Sequence, residues 1–429
     1  MNKEKQILPE LRFPAFEKDD EWIKESLGKI GKPLMCKRIF KEQTSTSSIN
    51  AIPFYKIGTF GREPDAYIPV DLYNKFKSKF SFPNIGDILI SASGTIGRLV
   101  VYDGSDAYFQ DSNIVWIGND ETQISNTLLF YCYSTLVWQT SDGGIIKRLY
   151  NSNLKEMEIY FPKCHKEQQK IADCLSSLDE VITAEREKLT VLKDHKKGLL
   201  QQLFPAKGET TPKYRFPEFE NDGDWEAVTI QKLIDDKTII SHLDGNHGAL
   251  YPKSEEFSNQ GVPYISANDF INGIVDFKNC KRIPIERAKK FKKGVAKNGD
   301  ILFAHNATVG PVARLETELD FVILSTTATY FRCDNMNLCN NYLLQYLITP
   351  NFIAQYTRVM SQSTRNQVPI TTQRKFHLSL PKKIKEQQKI ANCLSSMDDL
   401  IEEQVKKIEG LKNHKKGLMQ QLFPDTNKL

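Results

Sequence analysis

KEQQKIADCLSSLD at residues 166–179 returns as KEQQKIANCLSSMD at 385–398, and LKDHKKGLLQQLFP at 192–205 returns as LKNHKKGLMQQLFP at 411–424. Both pairs are offset by 219 residues, and 24 of the 28 positions are identical. A repeat this close means one supersecondary unit used twice. In the first copy Ile171, Leu175, Leu178, Ile182, Glu185, Leu189, Leu192, Lys196, Leu199 and Leu203 alternate steps of four and three. Ile390, Leu394, Met397, Ile401, Gln404, Ile408, Leu411, Lys415, Leu418 and Leu422 do the same in the second. This is the heptad of a coiled coil, with its polar exceptions at matching places. It predicts long helices over 163–204, stopped by Pro205, and over 385–423. At about 1.5 Å per residue each is roughly 57 Å long. Seams of that length need cover in water, and the simplest cover is each other.

Charge sets the direction of packing. Parallel copies in register would place Lys196 against Lys415 in an apolar seam and leave the Glu185 carboxylate facing Gln404 without a cation. Reversing one helix predicts Glu185 beside Lys415 and Lys196 beside Gln404, each an a-to-d contact. A slide by one heptad changes that pattern little. The acids Asp398 and Asp399 read as solvated, and Glu167 reads as an acid marking a helix start.

Working outward, RFPAFEKDDEW at 12–22 echoes RFPEFENDGDW at 215–225, here with an offset of 203. The copies therefore share their ends and differ inside. The interiors read as short strands, AIPFYKIG, GDILISASG, RLVVY and NIVWIG in the first and VPYISA, GDILFAH and VILSTTATYF in the second. Helices are expected over 127–140 and around 341–360. The fold class is therefore α+β: two β-rich domains separated by two long heptad helices packed as an antiparallel coiled coil, with pseudo-two-fold symmetry. The expected boundaries are 1–161 and 215–380 for the domains, 162–205 and 381–424 for the helical regions, and 206–214 for a linker.

Composition bounds the function. The 429 residues are 40% hydrophobic and 26% charged, as in globular proteins. No run of about 18 apolar residues occurs, and the start lacks a signal-peptide core, so a cytoplasmic location is expected. Eight cysteines form no metal-binding spacing, and Cys174 and Cys393 read as small buried thiols. The net charge of +5 is mild, but 282–297 (RIPIERAKKFKKGVAK) sets many cations against one acid, Glu286. Its counterpart holds Lys75, Lys77 and Lys79. Both segments suit either phosphate contact or plain solvation.

Catalytic signatures are missing: no phosphate-binding GxxxxGK[ST], no HExxH and no GxSxG occurs. His195 and His414 repeat within basic helix ends, where a cation suits the dipole. What recurs instead is a strand running into a small, hydroxyl-bearing loop, GDILISASGTIGRL at 86–99 and GDILFAHNATVGPV at 299–312. Such loops let Ser93, Thr95 and Arg98, or Asn306 and Thr308, approach a polar partner closely. Segments 143–151 and 361–367 precede the last strand of each domain and add Lys147, Arg148, Asn151, Arg365, Asn366 and Gln367. These are donor types suited to phosphates and to guanine and adenine edges. A tight turn and a solvated loop are the plain alternatives.

The paired heptad helices, with EQQKIA near each start and HKKGLxQQLF at each end, together with the GDIL strands and divergent domains, resemble the specificity subunit of type I restriction–modification systems. The resemblance spans essentially the whole chain. It implies a non-catalytic protein in which each target-recognition domain reads half of a split double-stranded DNA target. The helices would set the spacer and seat two methyltransferase subunits that methylate adenine with S-adenosylmethionine. Two restriction/translocase subunits would use ATP and Mg²⁺, and no cofactor is expected in this chain. A fused enzyme and a coiled-coil scaffold without a DNA role are the competing classes.

Overall fold

A computed structural model describes residues 7–138, 148–246, 251–362 and 364–425. The chain divides into two compact units, Met1–Ala184 with Ile408–Leu429, and Glu185–Lys407. The division cuts both long helices, His165–Gln202 and Ile384–Leu422, so each unit holds a domain plus a segment of each helix.

In the first unit, strands Gly31–Leu34, Ile114–Asn119, Ile88–Ser91 and Leu99–Val101 form one antiparallel sheet in that order. A three-stranded sheet of Tyr67–Pro69, Ala51–Tyr55 and Tyr108–Phe109 lies beside it, over its own aromatic core. In the second unit a six-stranded sheet runs Ile239–Asp244, Ala328–Cys333, Ile301–Asn306, Thr308–Arg314, Gly273–Val275, Phe270–Ile271. The centres match: Ile90 pairs with Val115 as Phe303 pairs with Thr329. The GDIL motif earns its glycine and aspartate locally. Gly86 and Gly299 sit at φ +91° and +87°, a region open to glycine. Asp87 and Asp300 are buried and accept the Asn84 and Lys297 amides, both at 2.8 Å.

Some elements differ from expectation. VILSTTATYF is not one strand but two in different sheets, Val322–Leu324 and Ala328–Cys333, because Ser325 and Thr327 turn the chain with hydroxyls 2.6 Å apart. The helix expected over 127–140 ends at Thr135. The stretch around 341–360 is two helices, Asn340–Leu347 and Pro350–Ser361, the second started by Thr349, whose Oγ1 accepts the Phe352 amide. Cys174 and Cys393 are half-buried rather than buried.

The repeated ends hold each domain to the helices. Arg12 grips Glu167 with two bonds of 2.7 Å, and Trp22 Nε1 donates to the same carboxylate at 3.4 Å. In the second unit Arg215 grips Glu386 at 2.7 and 2.8 Å, with Trp225 Nε1 at 3.2 Å. Glu167 and Glu386 are therefore fully buried ion-pair partners, not mere helix-start acids. The next residues, Gln168 and Gln387, are buried too and bond the loops before them, Gln168 Nε2 to Pro162 O at 2.9 Å and Gln387 Nε2 to Asn337 O at 2.9 Å. The opposite helix ends close the same corners. Phe423 packs edge-on against Trp22, ring centres 5.8 Å apart, and Phe204 against Trp225 at 6.3 Å.

Within each unit the helix segments run antiparallel. Ile171 and Leu175 cluster with Leu422 and Phe423 in the first, while Leu200 and Leu203 cluster with Ile390 and Leu394 in the second. The register differs from the expected one by about a heptad. Lys415 binds Asp179 at 2.5 Å, rather than Glu185, and Lys196 binds Asp398 at 2.5 Å, rather than Gln404. Glu185 instead accepts from Gln404 Nε2 at 2.6 Å and pairs with Lys407 at 2.6 Å. The Lys407 ammonium first, and the Gln404 amide next, hold the Glu185 carboxyl below the usual range. The apolar match is nearly unchanged by the slide, so polar side chains decide it. Both seam lysines reach an aspartate just outside the seam; Asp398, its side chain still 44% exposed, also accepts from Gln345 at 2.9 Å, and Asp399 is exposed as expected.

One substitution tests this register. Gln404→Glu would set a second carboxylate against Glu185, which is paired with Lys407 and lies near Lys188. Thermal unfolding should show a lowered midpoint at neutral pH, with the deficit shrinking as acid protonates the pair. A midpoint equal to that of the parent chain would show that these residues do not meet.

Candidate nucleic-acid interface

In each domain the structure brings the two expected loop segments together. Ser93 forms an isolated bridge with Arg148, and Asn306 forms one with Gln367. The next residues repeat the pattern, Leu149 N bonding Ala92 O at 2.9 Å and Val368 N bonding His305 O at 2.8 Å. These are equivalent positions by the sequence offsets of 213 and 219.

Backbone shape is shared as well. Gly94 and Ala307, at equivalent positions, both have φ +64°. An alanine there costs roughly 1 kcal/mol, and strain of this kind gathers at binding sites. Gly97 and Gly310 also have positive φ. A Cβ on Gly97 would lie 2.2 Å from the Trp138 ring, and one on Gly310 would lie 2.7 Å from the Tyr356 hydroxyl. An aromatic side chain thus closes over each loop, and only glycine fits beneath it.

The candidate side chains divide into supports and exposed donors. Ser93 Oγ donates to Asn113 Oδ1 at 2.9 Å. Arg98 Nη1 donates to Phe60 O at 2.7 Å, and Arg148 Nη2 to Ser112 O at 2.9 Å, so both arginines brace neighbouring loops. Thr95, Thr308, Arg365 and Asn366 are exposed, as is Asn151, the first residue of the short helix Asn151–Glu156. Asn306 and Gln367 are half-buried at their bridge. Lys147 lies outside the described residues. In the basic run, Arg287 pairs with Glu256 at 2.6 Å and Lys289 with Glu286 at 2.9 Å, while Lys290, Lys292, Lys293 and Lys297 are exposed. Lys77 is partly committed to Tyr73, with 2.8 Å from Nζ to the hydroxyl.

Sequence reasoning missed a buried polar cluster under the second loop pair. His242, His305, Thr329 and Gln373 are all buried. Gln373 Nε2 donates to Val368 O at 2.9 Å, and its Oε1 accepts from Thr329 Oγ1 at 3.0 Å and lies 3.1 Å from His242 Nε2. A carbonyl accepts only, which fixes the amide orientation, so His242 carries its proton on Nε2. Its ring stacks on Phe331 with centres 4.3 Å apart. No spacing signals this cluster, because its members come from four separate elements.

Among the described residues no group of three or more His, Cys, Asp or Glu side chains could hold a metal ion, and no helix is long and apolar enough to cross a membrane. His195 and His414 are exposed.

Comparison with known proteins places this geometry. A profile for the type I restriction modification DNA specificity domain matches residues 19–194 and again 224–413. A Haemophilus influenzae protein named as a type I restriction enzyme specificity subunit is 54% identical over 153 residues, 36% of this chain and 39% of that protein. The chain thus spans well under half of that relative in alignment. A type I restriction enzyme specificity subunit of Methanocaldococcus jannaschii is 24% identical over 342 residues, 76% of this chain and 77% of its own. Among solved structures, the S subunit of the M. genitalium type I restriction-modification system has a TM-score of 0.59 at 16% identity, covering 98% of this chain and 100% of that one. A chain solved for the assembly and conformational transition of the type I R-M system gives 0.55 at 15% identity, covering 94% and 97%. These two share the fold of two domains and long helices. With both halves matched by one profile, the chain belongs to the type I restriction–modification DNA specificity family.

Proposed function

We propose that each domain reads one half of a bipartite double-stranded DNA target through its bridged loop pair. The observation that carries this reading is the same loop pairing in both domains with different side chains, Ser93 with Arg148 in one and Asn306 with Gln367 in the other. One scaffold that presents two residue sets suits two unlike half-sites. Exposed Arg365 and Asn366 supply base-edge donors of the second set, and Thr95 and Asn151 belong to the first. The long helices set the unread spacer. Uninterrupted helices of 38 and 39 residues, at about 1.5 Å per residue, exceed one duplex turn of roughly 34 Å. The same helices dock two methyltransferase subunits, which bring S-adenosylmethionine and methylate adenine. Two restriction/translocase subunits, using ATP and Mg²⁺, complete a cytoplasmic complex. This chain itself holds no cofactor in that scheme.

Exchange of residues 215–380 for the matching domain of a relative tests the reading. Mapping of methylated motifs in a host with all partners should show one half of the motif changed and the other kept. Change in both halves together would overturn the two-reader model. At finer grain, Arg365→Ala should weaken cognate binding by about 1–3 kcal/mol if the guanidinium reads a base, roughly 5- to 150-fold. Equal loss on cognate and mismatched duplexes would make it a phosphate contact instead.

A further inference from the structure

Among the described residues the buried polar cluster has no counterpart in the first domain. Strand register gives the equivalent positions. His242 faces Phe331 as Pro33 faces Ile117, and Thr329 corresponds to Val115 through their pairs with Phe303 and Ile90. His305 corresponds to Ala92, since each accepts the bond from the bridging segment. Gln373 then corresponds to Leu154, five residues after Val368 and Leu149 respectively. The first domain therefore builds this spot from Pro33, Ala92, Val115 and Leu154, and the second from His242, His305, Thr329 and Gln373.

An apolar solution on the same scaffold shows that the fold does not require the polar one. Burying four polar side chains carries a desolvation cost, and a network of this kind specifies a single arrangement when its bonds are made. Here two of the bonds converge on one atom, and the other two meet at Gln373 Oε1. The Val368 carbonyl accepts from Gln373 Nε2 at 2.9 Å and lies 3.2 Å from His305 Nδ1. Val368 directly follows Gln367, the residue bridged to Asn306, and Ala307 N bonds Asn366 O at 2.9 Å. The cluster thus clamps the backbone that carries Arg365, Asn366 and Gln367. The Arg374 side chain, next to Gln373, ties back to His242 O at 3.2 Å.

We propose that Gln373, held by Thr329 and His242, is a positioning residue for base discrimination by the second domain alone: through the Val368 carbonyl it fixes the Asn306–Gln367 bridge in one place. This rests on the two-reader function proposed above. Such a role differs from structural support, because it alters selectivity between base pairs in one half-site. A merely stabilising residue would lower activity on every duplex by the same factor.

The experiment uses the full chain assembled with its methyltransferase partners. Methylation rates are measured on the cognate duplex and on duplexes with one changed base pair in either half-site. Gln373→Leu, the residue type of the first domain, should lower discrimination in the half-site assigned to residues 215–380 by about tenfold or more, the effect of about 1.4 kcal/mol. Discrimination in the other half-site should be unchanged. Thr329→Val keeps the shape and should produce a smaller loss in the same half-site; it decides the matter if Gln373→Leu does not assemble. Unchanged discrimination in both variants, or equal loss in both half-sites, would overturn the inference. The domain exchange separates the two levels. If it moves one half-motif while these variants keep their fidelity, only the positioning role falls. If it moves both halves or neither, the two-reader reading falls and this inference with it.

Discussion

Glu386→Ala is expected to destabilise the second unit by about 3–5 kcal/mol, because it removes one partner of a buried pair and leaves the other charged. The Glu386 side chain is 1% exposed and that of Arg215 is 9%. The variant would take the carboxylate from the Arg215 guanidinium, leaving it the Gly223 carbonyl, and would strand the Trp225 indole N–H, which donates to the same carboxylate. For a unit of this size about 1 kcal/mol corresponds to roughly 2–4 °C in midpoint. Thermal unfolding should therefore show a drop near 10 °C, on that scale. The loss should be specific to the unpaired charge. Arg215→Met combined with Glu386→Leu removes both ions and should recover a large part of it, since a buried pair is often no better than an apolar substitute. A double variant as unstable as Glu386→Ala would show that the damage is to packing. Glu167, bound by Arg12 and Trp22 in the same way, should behave alike in the first unit.

Acid should weaken the second unit through His242. Burial first, with the Arg374 and His305 charges in the same direction, lowers its pKa to about 3 from an ordinary 6.5, while the Gln373 bond and Asp244 oppose the change. Protonation would add an N–H at Nδ1, which finds no hydrogen-bond partner. The unfolded chain therefore binds a proton that the folded chain refuses between these two values. Stability is full above about pH 6.5 and falls as pH drops toward about 3, by about 2 kcal/mol at pH 5. Urea unfolding at about pH 7.5 and about pH 5 measures it. Other groups titrate in the same window, so the informative quantity is the difference from His242→Gln, which should lose less stability on acidification even if it starts lower. Equal losses in the two chains would remove His242 from the linkage. The first domain, with Pro33 at that position, lacks this source of acid lability.

Sequence alone was enough for the plan of the molecule. A period of alternating fours and threes has one structural solution, so the two long helices and their seams were legible, and charge opposition along the seam was enough to reject the parallel arrangement. Each seam residue named from the heptad is at least half-buried. The loop pairs were legible too, as a hydroxyl-bearing turn and a donor-rich segment recurring in both halves, although their meeting through Ser93 with Arg148 and Asn306 with Gln367 could only be seen in the folded chain. Tertiary structure decided the register. A heptad slide barely changes which apolar residues meet, and the choice went to Asp179 and Asp398, which lie outside the seam that the pattern defines. It also decided what the RFP echo is for, since an ion pair between Arg12 and Glu167, 155 residues apart, leaves no mark in local periodicity. The cluster of His242, His305, Thr329 and Gln373 was hidden for the same reason. Propensity and period act between neighbours in sequence, whereas a buried hydrogen-bond network exists only once distant strands have brought its donors and acceptors within about 3 Å.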